Sequence, residues 1–263
     1  MLKQLLRGLL AQSRAGRAPG EPAPTASAEA RALRYSYDAD GLATIHNADF
    51  LQEPRFRESY ALGAASGHRI CAPGDLHIEW RVYVCCWAAC HACRLSGDFV
   101  ECGVSTAIVS RAVAHYVDLR RLDRKLWLFD TFAGIPDDQM RPNEAPLARS
   151  KNARHYFDSF ELVRSHFAEY PNVHLIRGAV PDTLGTAAID RVAWLHIDMN
   201  IAYPEVAASA HFWERLTPGA VVIYDDYASR AHVPQKLALD AFAAERGVRI
   251  LSLPTGQGLL IKP

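Results

Sequence analysis

The chain has 263 residues, with 29 basic against 29 acidic side chains and a 49% hydrophobic share. That is enough apolar material for one large core. The even charge balance offers no basic stripe for nucleic acid and no cationic surplus for an anionic membrane. No stretch approaches the ~20 apolar residues that a membrane span needs.

In chain order, Leu2–Leu10 reads as a short amphipathic helix without the apolar core and cleavage site of a signal peptide. Residues 15–30 (AGRAPGEPAPTASAEA) are too rich in Pro, Ala, Gly and Ser to bury much surface, and read as a linker. Arg55–Ala65 fits a helix, and Pro73-Gly74 breaks the chain. The pattern divides the chain into an N-terminal extension, 1–75, and a main domain, 76–263. The main domain opens on a predicted helix, Leu76–Leu95, with Asp75 at its N-cap. It is apolar nearly all round and should be buried on more than one side. Cys86, Cys90 and Cys93 share a face of it, but His91 does not, and zinc ligands usually come as loop-borne pairs. These read as small packed thiols. Five of the six cysteines fall between Cys85 and Cys102, several too close for a disulfide framework, which suits free thiols in a reducing cytoplasm.

From Asp98 strands alternate with helices. The strands are Phe99–Cys102, Leu126–Phe129, Val173–Ile176, Val192–Ile197, Ala220–Tyr224, Val248–Leu253 and Gly258–Ile261. The helices are Thr106–Leu119, Ala153–Glu169, a turn near Pro181–Leu184, Tyr203–Leu216 and Val233–Arg246. Alternation predicts a mostly parallel seven-stranded sheet with helices on both faces. Pro254–Gly258 is too short for a crossover helix, so the last two strands should form an antiparallel hairpin.

Three strand ends carry chemistry. Gly103 follows the first, where a glycine lets the backbone approach a ligand. The next helix N-terminus, with Ser105 and Thr106, suits a carboxylate or a phosphate; an ordinary tight turn is the alternative. Asp130 ends the second strand, 27 residues after Gly103. It is placed to hold the ribose of an adenosine-bearing ligand, or else merely to cap the next turn. Asp198 ends the fourth strand and Asp225-Asp226 the fifth. Three carboxylates at adjacent strand ends repel unless something neutralises them. A divalent cation such as magnesium would do so; the alternative is helix capping or pairing with basic residues. Thr131–Asn152, with Gly134, Pro136, Pro142 and Pro146, is long enough to act as a lid.

The strings Gly97–Val104 (GDFVECGV), Leu128–Pro136 (LFDTFAGIP), Leu195–Asn200 (LHIDMN), Leu216–Gly219 (LTPG) and Asp225–Tyr227 (DDY), with the tail Pro254–Gly258 (PTGQG), together resemble the macrocin O-methyltransferase family. The resemblance implies a Rossmann-like class I fold and S-adenosylmethionine as methyl donor. It further implies magnesium-assisted transfer to a hydroxyl of a small-molecule or glycan acceptor. Glu101, Cys102, Gly103, Ser105 and Thr106 would line the methionyl end, Asp130 would hold the ribose, and Gly178 and Ala179 would flank the adenine. Asp198, Asp225 and Asp226 would bind the metal. Whether the chain forms a homo-oligomer is a point this sequence leaves open.

Two departures stand out. Alanine occupies position 107, where the family's loop usually has a second glycine. Asn200 stands where an aspartate is read as general base, and an amide cannot take a proton at neutral pH. Asp198, His196 and, beside the lid, His155 are the other candidates for that role. Catechol-like phenol methylation and a non-catalytic cofactor-binding protein of the same fold are the rival readings. A nicotinamide dehydrogenase is disfavoured, because the first loop lacks the dinucleotide fingerprint.

Overall fold

The computed structural model describes residues 35–69 and 75–263. The expected helix at Leu2–Leu10, the linker at 15–30 and the Pro73-Gly74 break lie outside the described residues. A two-stranded hairpin comes first, β1 (Tyr37–Ala39) and β2 (Leu42–Thr44). Its two-residue loop is Asp40-Gly41, both at positive φ (+51° and +73°), the conformation that an Asp-Gly loop favours. Helix α1 (Pro54–Ala64) has proline in its first turn, where no backbone N–H is missed. Helix α2 (Glu79–Ala92) starts later than the sequence suggests, and Asp75 does not cap it. Tyr60 holds 76–78 off the helix: its hydroxyl donates to Leu76 O (2.6 Å) and accepts from Ile78 N (3.1 Å).

Hydrophobic contact crosses residue 75 without a break. Phe50 stacks on Tyr83 (4.1 Å between ring centroids) and meets Trp80 at 4.5 Å, while Phe56 packs edge-on to Tyr83. Gly63 on α1 sits against the next helix of that layer, α3 (Ile108–Tyr116). A Cβ there would lie 2.4 Å from Ile108 O, so only glycine permits this approach. Helix α2 is not buried all round. Val82, Cys85, Cys86, Ala88, Ala89 and Ala92 face the core, whereas Trp87, Cys90 and His91 face out. Cys86, Cys90 and Cys93 thus differ in burial, and all three are free thiols.

The main sheet contains β3 (Asp98–Cys102), β4 (Leu126–Asp130), β5 (Val173–Arg177), β6 (Val192–Ile197), β7 (Leu216–Tyr224), β8 (Leu251–Ser252) and β9 (Gly258–Ile261). Its order is β5-β4-β3-β6-β7-β9-β8. The first five are parallel, β9 runs antiparallel to β7, and β8–β9 is the expected hairpin. Helices α1, α2 and α3 cover one face; α6 (Ala202–Trp213) and α7 (Val233–Glu245) cover the other. Strand residues alternate between the two layers: Phe99 and Trp194 join the first, Val100, Leu195 and Ile197 the second. Strand order reverses between β3 and β6, and open α/β sheets bind ligands at that crevice.

The region after β4 departs most from expectation. In place of one helix over 153–169 there are two, α4 (Ala145–Arg154) and α5 (Phe160–His166). Tertiary hydrogen bonds break the run: Ser159 N donates to Phe132 O (2.9 Å) and Ser159 Oγ to Ser105 O (2.7 Å). Part of the expected lid is therefore helical. It is tied down by Asn152, whose side chain bonds both the N–H and the carbonyl of Ile135 at 2.8 Å.

Candidate active site

Gly103 follows β3 at φ +89°, pressed against the end of β6. A Cβ on it would stand 1.9 Å from Asp198 O, so no other residue fits. Beyond it opens a cleft lined by Gly103, Ser105, Asp130, Gly178, Ala179, Asp198 and Asn200. Phe132, Tyr156 and Phe157 line it too. Ser105 (φ +52°) and Ala107 (φ +73°) both take the left-handed conformation before α3 begins.

Asp130 shapes this half of the cleft. Its Oδ2 accepts the N–H of Val104 and of Ser105 (2.7 Å), and its Oδ1 accepts Phe132 N (2.6 Å) and, more weakly, Thr131 Oγ1 (3.3 Å). The carboxylate thus ties the loop after β3 to the turn after β4.

Three residues expected at the methyl-donor end lie beneath the cleft. Glu101 is buried and its Oε1 meets His196 Nδ1 at 2.9 Å. Cys102 is sealed in the opposite layer, where burial raises its thiol pKa. Thr106 Oγ1 meets Ser66 Oγ at 2.9 Å inside the protein. Strand alternation and the turn at Gly103 send these side chains down. His196 spans Glu101 and Asp225, with Nε2 3.6 Å from Asp225 Oδ1. Burial disfavours its charge, but Cys85, Asp225 and Glu101 around it hold its pKa well above the ordinary value. His155 faces the Arg69 carbonyl, away from the cleft.

The acidic end is organised by residues the sequence reading missed. Arg81 on α2 donates to Asp225 Oδ2 (2.7 Å), Asp226 Oδ1 (3.4 Å) and Asp40 Oδ2 (2.8 Å). Gln257 Nε2 donates to Asp225 Oδ1 (3.0 Å). Asp226 Oδ2 is approached by His232 Nε2 (3.2 Å) and Lys151 Nζ (3.4 Å). Burial works against ionising Asp225, yet Arg81 and His196 hold its pKa far below the usual carboxylate range. Asp198 is the exception. Burial and the charges of Asp225 and Asp226 push it up to about 8. Its Oδ1 accepts from Asn200 Nδ2 (3.0 Å), which also donates to Tyr156 OH (3.0 Å).

These contacts bear on a metal. Both oxygens of Asp225 and of Asp226 already face N–H donors, and a cation would have to displace an arginine, an amide or a lysine to reach them. The pairing with basic residues that the sequence left open is the arrangement seen. Among the described residues, no three His, Cys, Asp or Glu side chains form a set able to hold an ion. The residues as placed do not fit magnesium.

Only hindsight finds Arg81, Lys151 and Tyr156, which come from elements distant in sequence, and His232, six residues past Asp226. Gln257 alone lay within a string already singled out.

The geometry has counterparts. The family model for macrocin O-methyltransferase (TylF) matches residues 84–251. Mycinamicin III 3''-O-methyltransferase of Micromonospora griseorubida is 29% identical over 50% of this chain and 55% of its own length. Demethyldecarbamoylnovobiocin O-methyltransferase of Streptomyces niveus is 31% identical over 58% of this chain and 60% of its own. The chain thus spans little more than half the length of the curated relatives it matches. The solved O-methyltransferase NovP superposes with a TM-score of 0.61 at 25% identity, covering 69% of this chain and 79% of that one. The sheet order is that of the Rossmann-like class I methyltransferases, and the chain belongs to the macrocin O-methyltransferase family.

Proposed function

We propose that this protein transfers the methyl group of S-adenosylmethionine to a hydroxyl of a sugar or glycosylated metabolite. The observation that carries the reading is the cleft at the switch point. One end is closed by Gly103 against Asp198, and the other holds Asp198, Asn200 and Tyr156. The printed names of two relatives, a mycinamicin and a novobiocin-precursor O-methyltransferase, support the acceptor class.

In this reading the methionyl end lies against Gly103 and Ser105, and the adenine lies against Gly178 and Ala179. Asp130 takes the ribose, a ribose hydroxyl replacing its weakest partner, Thr131 Oγ1. The sulfonium, when bound, supplies the methyl group and its own leaving group. The chain's work is positioning and proton removal. Asp198 is the group to receive the acceptor's proton: it faces the cleft, Asn200 fixes its orientation, and its raised pKa suits a base near neutrality. Asn200 positions Asp198. His196 holds Asp225 from below and has no path to the cleft. Magnesium at Asp198, Asp225 and Asp226 has no free ligand set here, so no step is routed through it.

Phe132, Tyr156 and Phe157 on the cleft wall favour a second reading, a catechol-like phenol acceptor. A screen of cofactor consumption against nucleotide sugars, glycosides and catechols decides between them. Turnover of catechols alone overturns the sugar assignment. S-adenosylhomocysteine binding without any turnover would point to a non-catalytic binder. Among the described residues no helix is long and apolar enough to cross a membrane. With five free thiols there, we place the protein in the cytoplasm, acting on small molecules rather than nucleic acid. We further propose 76–263 as the catalytic domain, with 35–69 completing its helical layer and 1–34 as an extension.

A further inference from the structure

Asn200, Asp226 and His232 converge on one atom. Lys151, near the end of α4, sets its Nζ within hydrogen-bonding reach of Asn200 Oδ1, of His232 Nε2 (3.2 Å) and of Asp226 Oδ2 (3.4 Å). An ammonium has three hydrogens and no lone pair, so three acceptors saturate it.

Each acceptor is set from behind. Gln235 Nε2 donates to buried Glu205 Oε1 at 2.7 Å, which turns the Gln235 carbonyl oxygen onto His232 Nδ1. A carbonyl oxygen only accepts, so His232 carries its hydrogen on Nδ1 and presents a bare Nε2 to Lys151. The Asn200 amide nitrogen is spent on Asp198 and Tyr156, which leaves its oxygen for Lys151. The same Glu205 oxygen accepts the main-chain N–H of Met199 (3.1 Å) and Asn200 (3.0 Å), holding Asn200 at φ +65°. Seven side chains from four parts of the chain thus prepare one cation site, and this chain fills it with its own lysine.

We propose that Lys151 is the resident cation behind the acceptor end of the cleft, and that its ammonium, paired with Asp226, Asn200 and His232, stands where a divalent metal would need to bind. The inference rests on the methyl-transfer reading for its consequence, not for its geometry. Arg81 compensates Asp225 and shares Asp226 with Lys151, which leaves Asp198 as the carboxylate facing the acceptor. Lys151 does not line the cleft. It is a positioning residue, acting through the Asn200 amide on Asp198.

The reaction then balances without a metal. The acceptor oxygen bonds to the methyl carbon, and the carbon–sulfur pair stays on sulfur as a neutral thioether. The hydroxyl proton passes to Asp198 and leaves to solvent with the product. An aspartate at position 200 would add a fourth carboxylate. Asparagine instead lets donor and acceptor alternate from Lys151 to Asp198. Lys151 is held beside Asn152, whose side chain bonds Ile135 of the cleft wall.

Manganese(II) in place of magnesium tests this, read by the electron-spin signal of the free ion, with S-adenosylhomocysteine present to complete the cleft. Wild-type protein should leave the signal unchanged into the millimolar range. Lys151→Ala should bind manganese at least about tenfold more tightly, a difference of about 1.4 kcal/mol. Lys151→Arg should return the site to silence. Manganese binding by wild type that Asp226→Asn abolishes overturns the proposal. So does silence in both wild type and Lys151→Ala, since the aspartates would then be failing to hold a metal for a reason other than the lysine. Calorimetry of S-adenosylhomocysteine alone reports separately on the methyl-donor reading. Its failure in wild type would remove that reading while the manganese result still judged the cation site.

Discussion

The two ends of the cleft are built by different means. The methyl-donor end is made of backbone: Gly103, the left-handed Ser105 and Ala107, and main-chain N–H groups gathered by Asp130. The acceptor end is made of side chains from α2, α4, the turn before α7 and the tail, meeting around Asp198, Asp225 and Asp226. A backbone-built end has little tolerance for added atoms. A side-chain-built end tolerates isosteric change in shape and fails in charge instead.

The largest effect should therefore come from one methyl group. Gly103→Ala combines φ +89° with a Cβ 1.9 Å from Asp198 O, a backbone atom that cannot swing aside. The two strand ends must part, at a cost of about 4 kcal/mol or more, where severe core substitutions fall. Urea unfolding should show that loss, together with loss of S-adenosylhomocysteine binding. A stable, cofactor-binding Gly103→Ala protein would break the contrast between the two ends.

Asp198→Asn probes the other end with almost no change in shape. Turnover should fall by about 10²–10⁴-fold, the range for a lost general base. Cofactor affinity should hold, and the melting temperature should stay level or rise, because the amide carries none of the charge that burial, Asp225 and Asp226 disfavour at this position. A fall in melting temperature as large as that of Gly103→Ala would show both ends to be equally structural.

The same contrast decides what the sequence reveals. The mostly parallel sheet, its helices on both faces and the closing hairpin follow from alternation and loop length, which are local; the strand order does not. Gly103, Asp130 and Asp198 were legible because strand ends in a parallel sheet meet at one crevice whatever the loops do. The neutralisation of the aspartates was not legible. Arg81 lies 144 residues from Asp225, and Lys151 lies 75 from Asp226. Nothing in their local pattern marks them, and carboxylates alone read as a metal site. Likewise Glu101 sits within the right string and Thr106 two residues past it, yet their side chains point into the core, a fact set by pleat and turn rather than by proximity to Gly103.

A middle-sized effect belongs to Asp130, a side chain in the service of the backbone end. Asp130→Ala frees the N–H groups of Val104, Ser105 and Phe132 at once. Calorimetry should show S-adenosylhomocysteine bound about 1–3 kcal/mol more weakly, the cost of leaving polar partners unpaired. Unchanged affinity would remove Asp130 from the binding site.

The smallest effect, and the finest test of the comparison, is Ala107→Gly. Alanine at φ +73° pays about 1–2 kcal/mol for its left-handed conformation. Yet its methyl group is fully buried against the layer of α1 and α3, where a CH₂-sized group contributes about 0.8 kcal/mol. Glycine would also give the unfolded chain more freedom, worth about 0.4–1 kcal/mol. The gain and the two losses nearly cancel, so stability should move by less than about 1 kcal/mol in either direction. Calorimetric melting checks the stability. S-adenosylhomocysteine affinity checks the loop, and should also stay level, since the Ala107 side chain points into the core and not into the cleft. A clear rise in affinity with glycine would mean that the methyl group narrows the binding loop, and the loop's shape would then depend on a side chain after all.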